Sequence, residues 1–420
     1  METILFCLYA IVLLVILYKW SFFKEVPVWA RISIMTLKTV CGLAGCYYFA
    51  KYMKGGDTVA FIHDARIFFS ALKESPSDYF HLITGSGNYD DLKQYYSQLY
   101  INTKTGYVQW VNNVLPFVRF NAFLCLFTRG YYSIHILFMC FLSFIGLVAL
   151  YKVIYKEREG NSLWMFLVLC CLPGCLLWGS MLLKEPLIIL FTGLSIYYFH
   201  SYLINDKSKS MAGFMACFLL LLLFKTYIAL ALLPGFIAWS LFSKMQTSWI
   251  KTFSITFLSF IVFTIILSKV DSKADLFLAL HNQQIIFMKF GVYFQSHTLM
   301  NLIPFSPDAW SVIKRSPEAL WTALIRPYPF EVPSLPGHLS VIENIITLIL
   351  IVFLLIKADI KLLLHKPFVL VTVSAGIIIL VIAAFTTPVL GALVRLKMPG
   401  ILLLIAGLLS CYRQKRSTVD

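Results

Sequence analysis

Apolar runs long enough to cross a lipid bilayer recur from one end of this sequence to the other, and no other feature limits the possible folds as strongly. Of the 420 residues, 60% are hydrophobic and only 13% are charged. A soluble chain could not cover its surface with so few charges, whereas a surface that faces lipid needs none. The sequence therefore predicts an all-α, polytopic membrane protein in which residues 1–420 form a single integral membrane domain.

The positions and lengths of these runs predict about eleven transmembrane helices. The run Leu163–Leu203 is too long for one helix and is interrupted at Pro173-Gly174 and at Lys184-Glu185-Pro186, which predicts two helices joined by a hairpin. A second hairpin is predicted at Lys225-Thr226. The first run lacks a basic segment and a small-residue cleavage site, so it is interpreted as a retained helix and not a signal peptide. The other predicted spans are Leu5–Tyr18, Ile34–Tyr52, Ile134–Ile154, Met211–Phe224, Ile228–Leu241, Phe253–Leu267, Val341–Ile356, Val369–Phe385 and Val389–Leu409.

The formal net charge of +15 is interpreted as the enrichment of Lys and Arg in cytoplasmic loops and not as nucleic-acid binding. Basic residues gather in one alternating set of loops, which is therefore predicted to be cytoplasmic. The two long segments, 54–116 and 268–340, and both hairpin tips then lie on the outer side, with the N-terminus outside and the C-terminus inside. The basic residues of the cytoplasmic set are Lys19, Lys24, Arg31, Lys152, Lys156, Arg158, Lys207, Lys209, Lys244, Lys251, Lys357, Lys361, Lys366, Arg413, Lys415 and Arg416.

Both long outer segments carry helical patterns. Thr58–Lys73 has an apolar stripe that predicts a helix lying flat on the outer membrane surface. Asp275–Phe290 is also amphipathic, and the chain from Pro304 to Pro336 is rich in proline. The two segments are therefore predicted to be ordered and partly helical.

Ionisable side chains at the outer helix ends have an unfavourable free energy next to lipid, so each indicates a partner or a function. Asp57 and Asp64 follow Gly55-Gly56 and are separated by two helical turns, which places them on roughly one face, with His63 between them. They are candidate catalytic carboxylates. The alternative for Asp57 is that it only caps the surface helix.

Several cations occupy equivalent positions. Lys184 and Glu185 stand at one hairpin tip and Lys225 at the other. Their structural alternatives are a Lys–Glu pair that marks the turn and a lysine that extends to the interface. Arg326 and Glu331 occur in the Pro-rich segment, where the alternative is a surface ion pair. The remaining candidates are Arg395 and Lys397 in the last span, and Arg119 and Arg129 near the third span.

Cations at interfacial depth suit a phosphate or pyrophosphate group, because fixed Lys and Arg side chains supply strong charge-assisted hydrogen bonds. A carboxylate beside them suits a general base that deprotonates an acceptor hydroxyl. Together they predict group transfer from a lipid phosphate in the outer leaflet.

The chain resembles the C-type (GT-C) integral membrane glycosyltransferases, the superfamily of the protein mannosyltransferase-like and aminoarabinose-transferase-like enzymes. The resemblance rests on the acidic motif from Gly55-Gly56-Asp57 to Asp64, the surface helix, the paired short spans and Arg395-Leu396-Lys397-Met398-Pro399, which is similar to an Arg-Tyr-Arg-x-Pro-type motif. The stretches Pro173–Glu185 and Arg326–Glu331 resemble segments of bacterial membrane proteins associated with envelope polysaccharides.

This resemblance implies a polyprenyl-phosphate-linked sugar donor, a glycan or lipid acceptor, and an inverting displacement at the periplasmic face of the bacterial inner membrane. Asp57 would be the general base, and Asp64 would orient the acceptor or replace Asp57. Donor phosphate would be held by Lys184, Lys225, Arg326, Arg395 and Lys397, supported by His63, Glu185, Glu331 and Arg119. Two departures are the missing adjacent acidic pair at the helix end and the missing soluble C-terminal domain, so neither a metal nor another cofactor is expected.

Two other functions are compatible with the sequence. A lipid-linked polysaccharide polymerase would use the same donor chemistry with a lipid-linked oligosaccharide as acceptor. A flippase or transporter would place charges near the bilayer midplane, often in two similar halves, and the sequence has no such halves. An acyltransferase would need a His deep in an apolar helix. His135 and His200 lie in different spans toward opposite faces, so both are interpreted as packing or interface residues.

Overall fold

The computed structural model describes residues 1–52, 56–100, 114–158, 163–205, 208–245, 248–293, 295–300, 302, 304–359, 362 and 365–412. Within these ranges the chain is helical, and its only β-type pairings are two isolated bridges. The all-α prediction is therefore confirmed. Of the residues named above, those outside the described ranges are Gly55, Lys207, Lys361, Arg413, Lys415 and Arg416.

The helices of the described residues are numbered here in chain order. They are α1 (Glu2–Lys19), α2 (Val28–Tyr52), α3 (Asp57–Glu74), α4 (Pro76–Thr84), α5 (Tyr89–Tyr96), α6 (Leu115–Thr128), α7 (Tyr132–Arg158), α8 (Leu163–Cys171), α9 (Pro173–Leu177), α10 (Glu185–Asn205), α11 (Ser208–Met245), α12 (Trp249–Val270), α13 (Leu276–Tyr293), α14 (Ala309–Ile325), α15 (Leu335–Lys357), α16 (Pro367–Thr386) and α17 (Leu390–Ser410).

Nine helices of the described residues are long and apolar enough to span a membrane, namely α1, α2, α7, α10, α11, α12, α15, α16 and α17. Exposed Ile255, Leu258 and Phe263 on α12 show the apolar outer surface expected of a chain solvated by lipid. The protein is therefore an all-α, polytopic membrane protein. These nine count α11 once, whereas the prediction of about eleven spans counted its two arms separately and also counted the interrupted segment α8–α9.

α11 folds back on itself at Lys225. The backbone of Lys225 leaves the helical region, with φ −154° and ψ 81°. In a straight helix, Phe214 and Phe236 would lie about 33 Å apart, at 1.5 Å per residue. Their ring centroids are instead 5.1 Å apart, and both rings also contact Phe199 of α10. α11 is therefore a helical hairpin with Lys225 at its tip, as the sequence predicted.

Among the candidate spans of the described residues, α17 and α7 are the most buried, and α10 packs directly on α7. A Cβ atom built on Gly193 of α10 would lie 2.1 Å from the carbonyl oxygen of Gly146 on α7, so the two backbones touch. Close approach through small residues is a usual way for helices to associate in lipid, where the hydrophobic effect does not drive them together.

The long segments pack on the bundle as short helices. The surface helix predicted over Thr58–Lys73 is α3, which packs on α6 through Phe61 and Phe117 with their ring centroids 4.9 Å apart. Asp275 accepts hydrogen bonds from the first backbone N–H groups of α13, the helix predicted near Asp275–Phe290. The Pro-rich stretch also contains a helix, α14, which tolerates Pro317 in its interior.

Three of the loops predicted to be cytoplasmic, those after α1, after α7 and before α16, meet at one end of the bundle. Lys152 Nζ lies 3.2 Å from a carboxylate oxygen of Glu25, and His200 Nε2 lies 3.0 Å from Glu157, which also pairs with Lys366. These contacts join the loop after α1 to the ends of α7 and α10 and the start of α16. We name this the basic end, and the opposite end, which carries Asp57, the site end.

Candidate functional site

Five charged side chains from distant parts of the sequence meet at the site end. Asp57 opens α3, Lys184 and Glu185 lie where the turn after α9 enters α10, Lys225 is the tip of the α11 hairpin, and Arg395 lies in the second turn of α17. We call these five residues the charged cluster. The sequence named all of them as candidates, and the fold brings them together.

Arg395 joins the two carboxylates of the charged cluster. Its Nη1 donates a hydrogen bond of 2.7 Å to Oδ2 of Asp57, and its Nε lies 3.2 Å from Oε1 of Glu185. The Glu185 side chain is 3% exposed, whereas that of Asp57 is 55% exposed. Charge-assisted contacts of this kind are stronger than neutral hydrogen bonds, so Arg395 ties α3 and α10 to α17. The accessible partner, Asp57, is the one that can meet a substrate.

The cluster holds one more cation than anion. With three basic and two acidic side chains ionised, its charge is +1. Burial, together with the neighbouring Lys225 cation, lowers the pKa of Lys184 to about 7, although Glu185 acts in the opposite direction. An anion bound beside Lys184 would raise this pKa again, because a nearby negative charge favours the ammonium form.

Asp57 is not the cap of its own helix, so that alternative is wrong. The N-cap position of α3 is Gly56, which has no side chain, and the Asp57 carboxylate reaches across to Arg395 instead. Desolvation disfavours the charged form, but Arg395, Lys184 and Lys225 together outweigh this effect and hold the pKa of Asp57 below its usual value. The positive end of the α3 dipole favours the same charge. Asp57 is therefore ionised at neutral pH.

Asp64 and His63 lie outside the charged cluster. Asp64 is buried and accepts a 2.7 Å hydrogen bond from the backbone N–H of Tyr100, and its other contact is His63 Nδ1 at 3.1 Å. Burial raises the pKa of Asp64 despite these two hydrogen bonds. Asp64 therefore connects α3 to the end of the segment after α5, which is a structural role.

Lys397 follows Arg395 by two residues but points elsewhere. Its Nζ donates to the carbonyl oxygens of Ala323 and Arg326, each at 2.8 Å, and to Oδ1 of Asn344 at 2.6 Å. A lysine at the carbonyl end of a helix is favourable because it satisfies orphan acceptors and opposes the helix dipole. Lys397 thus holds the end of α14, and all of its donors are in use.

The three remaining arginine candidates have protein partners of their own, and that of Arg129 is the Sδ atom of Met1, 3.2 Å from Nη1. Arg326 Nε lies 3.4 Å from Oε1 of Glu331, whose other oxygen accepts from the backbone N–H of Tyr328. This matches the ion pair in a Pro-rich turn that was the alternative interpretation. Arg119 Nε donates to the carbonyl oxygen of Leu82 and ties α6 to the end of α4.

Tyr227 belongs with the charged cluster, although the sequence did not identify it as a site residue. It lies within electrostatic reach of Glu185 and Arg395, and Lys225 Nζ is 5.5 Å from the centre of its ring. The available signal was its position two residues after the lysine at the hairpin tip.

No protein-family model, curated protein or solved structure matches this chain. The resemblance to C-type glycosyltransferases therefore stays a prediction. In the described part of the chain, no three His, Cys, Asp or Glu side chains converge as metal ligands would. What the charged cluster can do chemically is bind an anion through its cations and accept a proton on Asp57.

Proposed function

We propose that this protein is a membrane glycosyltransferase that moves a sugar from a polyprenyl-phosphate-linked donor to a hydroxyl group of an envelope glycan or lipid. The observation that carries the proposal is the accessible carboxylate of Asp57, held beside Lys184, Lys225 and Arg395 at one end of the transmembrane bundle. A lipid phosphate presents its charge at this depth, and its polyprenyl chain would lie in the bilayer.

In the proposed reaction the acceptor hydroxyl oxygen attacks the anomeric carbon of the donor sugar. A new C–O bond forms as the bond between that carbon and the phosphate oxygen breaks, which inverts the anomeric configuration. The bonding electrons leave with the polyprenyl phosphate, whose added charge meets Lys184 and Lys225. The hydroxyl proton passes to Asp57. Electrostatic stabilisation of a leaving phosphate by fixed cations is a large catalytic effect in general.

Arg395 would have two functions in this reaction. Before donor binding it keeps Asp57 ionised at neutral pH. With donor bound, its guanidinium is close enough to the lysines to share the phosphate charge, since all three act on one another electrostatically. Arginine suits this position because its planar group can contact two anions at once.

We further propose that the protein lies in the bacterial inner membrane with the site end facing the periplasm. The support is the gathering of Lys- and Arg-containing loops at the basic end, which the positive-inside rule assigns to the cytoplasm. The N-terminus would then be periplasmic and the C-terminus cytoplasmic.

The deciding experiment compares Asp57→Asn with Asp64→Asn in lipid nanodiscs. Each protein receives a panel of polyprenyl-phosphate hexoses and pentoses with an envelope lipid extract as acceptor, and release of polyprenyl phosphate is measured by mass spectrometry. Loss of a general base costs on the order of 10²- to 10⁴-fold in rate. We expect that loss for Asp57→Asn, and turnover per folded molecule within about tenfold of the parent for Asp64→Asn, because Asp64 acts on packing.

Full activity of Asp57→Asn would refute the assignment of the base, and activity lost only in Asp64→Asn would transfer the assignment to Asp64. The same assay separates the alternatives by their products. A single added sugar supports the transferase, a ladder of repeats identifies a polymerase, and donor crossing the bilayer without release of polyprenyl phosphate identifies a flippase.

A further inference from the structure

Lys38 is a fully buried lysine near the middle of the transmembrane helix α2. Its side chain is 0% exposed, and among the described residues none of the ion pairs includes it. An ionisable side chain buried within a transmembrane helix, with no carboxylate partner among the described residues, is costly and indicates a specific function.

The ammonium group of Lys38 binds the chain that leads into the charged cluster. Its Nζ donates to the carbonyl oxygens of Cys175 and Gly179, both at 3.0 Å. Cys175 belongs to α9, a helix of five residues, and Gly179 follows its end. The last carbonyls of a helix lack partners within it, so a buried helix end needs donors from elsewhere. Lys38 supplies two of them.

The part of α2 after Lys38 contacts the next residues of the same turn, 180–182. A Cβ atom on Gly42 would lie 2.4 Å from the carbonyl oxygen of Ser180, and one on Gly45 would collide with the side chain of Met181. The backbone N–H of Leu182 donates to the Sγ atom of Cys46 at 3.4 Å. These contacts lie at one-turn and two-turn spacings after Lys38, on one face of α2.

A second helix clamps the turn from its other side. The thiol of Cys140 on α7 lies 3.2 Å from the carbonyl oxygen of Ser180 and 3.4 Å from that of Lys38 itself. Contacts to its backbone therefore hold the stretch 175–182 against α2 and α7. Lys184 and Glu185 follow this stretch after a single residue, Leu183.

We propose that Lys38 is a positioning residue for the charged cluster: by binding the carbonyls of Cys175 and Gly179 it fixes the turn that places Lys184 and Glu185. This inference rests on the proposed function only for its catalytic consequence. The geometric part concerns this chain alone and can be tested without substrate.

The test measures how the Lys184 amine titrates. Competitive acylation at a series of pH values, read by mass spectrometry, gives the pKa of a single lysine in the full-length protein in nanodiscs. In the parent this pKa is about 7. If the turn loosens in Lys38→Met, Lys184 becomes solvated, its pKa rises, and its labelling rate at pH 7 falls about fivefold for the first unit of rise.

Lys152→Met is the matched control, because Lys152 is also buried and binds a carbonyl oxygen, that of Phe22, but at the basic end. We expect it to leave the titration of Lys184 unchanged. An unchanged titration in Lys38→Met, or an equal change in Lys152→Met, would overturn the proposal.

If Lys38→Met does not fold, the titration of Lys184 is measured in Lys38→Gln instead. Its shorter amide cannot reach both carbonyls, so a smaller change in the same direction is expected, and no change overturns the proposal. Transfer assays then separate the two levels of inference. A changed Lys184 titration with no donor-dependent activity in any variant supports positioning and refutes the glycosyltransferase, whereas an unchanged titration refutes positioning whatever the activity.

Discussion

Arg395 and Lys397 stand two residues apart on the same helix and have opposite surroundings. Arg395 faces two carboxylates at the accessible site end and has further cations beside it. Lys397 is 5% exposed and donates to three oxygens of α14, its C-terminal turn and α15. Side chains two residues apart on an α-helix point in directions that differ by about 200°. The two cations of this short motif therefore contact different parts of the protein.

The comparison shows that a buried cation near the membrane surface is not by itself a ligand site. What distinguishes the two residues is whether the donors are already saturated by uncharged acceptors of the protein. The charged cluster has an accessible acid and an excess of positive charge, whereas the Lys397 contacts are complete. The following predictions test this distinction, from the largest expected effect to the smallest.

Arg395→Gln should reduce kcat/KM for the polyprenyl-phosphate donor about 10- to 150-fold, which corresponds to the loss of a charged hydrogen bond worth about 1.5–3 kcal/mol. The reason is that Asp57 and Glu185 lose their shared counter-charge. The measurement is donor-dependent release of polyprenyl phosphate in nanodiscs. Activity within twofold of the parent, with the protein folded, would remove Arg395 from the site.

Lys397→Met should act on stability instead. It leaves buried acceptors at the end of α14 without a donor, a change that costs about 1–3 kcal/mol for an unsatisfied group. We expect a lower midpoint of thermal or denaturant unfolding in detergent, with donor KM close to that of the parent. The opposite pattern, normal stability with weakened donor binding, would show that Lys397 reaches the donor.

Donor affinity should fall as pH rises through about 7, because Lys184 in the free protein loses its proton with a pKa of about 7. Below that pH the ammonium form is present and affinity should be flat. Above it the limit for one linked proton is about tenfold in KM per pH unit. Lys184→Arg should abolish this dependence because arginine stays charged. A parent KM that is constant from pH 6 to 9 contradicts the assignment.

Glu331→Gln should have the smallest effect. It weakens the partly exposed pair with Arg326, and pairs of this kind contribute about 0–1 kcal/mol. Unfolding should change little and donor KM should stay unchanged. If donor KM instead rises tenfold or more, the turn that contains Arg326 belongs to the donor site together with the charged cluster.

Most of the fold could be predicted from the sequence, because apolar runs and their interruptions follow directly from the requirements of lipid. The break at Lys225 is an example, because the charge divides an apolar stretch that is too long for one span, and the chain turns there. The prediction fails at α8–α9, because the run broken by Pro173 resembles a span in composition but consists of two helices that are each too short to cross a bilayer.

The members of the charged cluster were predictable one by one, but their pairing was not. Nothing local indicates that Asp57 meets Arg395 across 338 residues. Nor does it indicate that Asp64, two helical turns later on roughly the same face, binds the backbone N–H of Tyr100 instead. Lys38 offered a signal of the same kind as Lys225, a single charge within an apolar run. Its partners are backbone carbonyls, which no side-chain motif can reveal.

Because α11 folds back on itself, the number of residues in each of its two arms determines where the Lys225 side chain lies. Loops usually tolerate added residues, but the arm between Lys225 and Phe236 is helical and its far part is packed on Phe199. One inserted residue there would turn the tip by about 100° and move it by about 1.5 Å relative to the packed rings. Lys225 would then leave the cluster without being mutated. In this chain, reading-frame-preserving insertions in an apolar and featureless stretch are therefore expected to be as damaging as the loss of a charged residue.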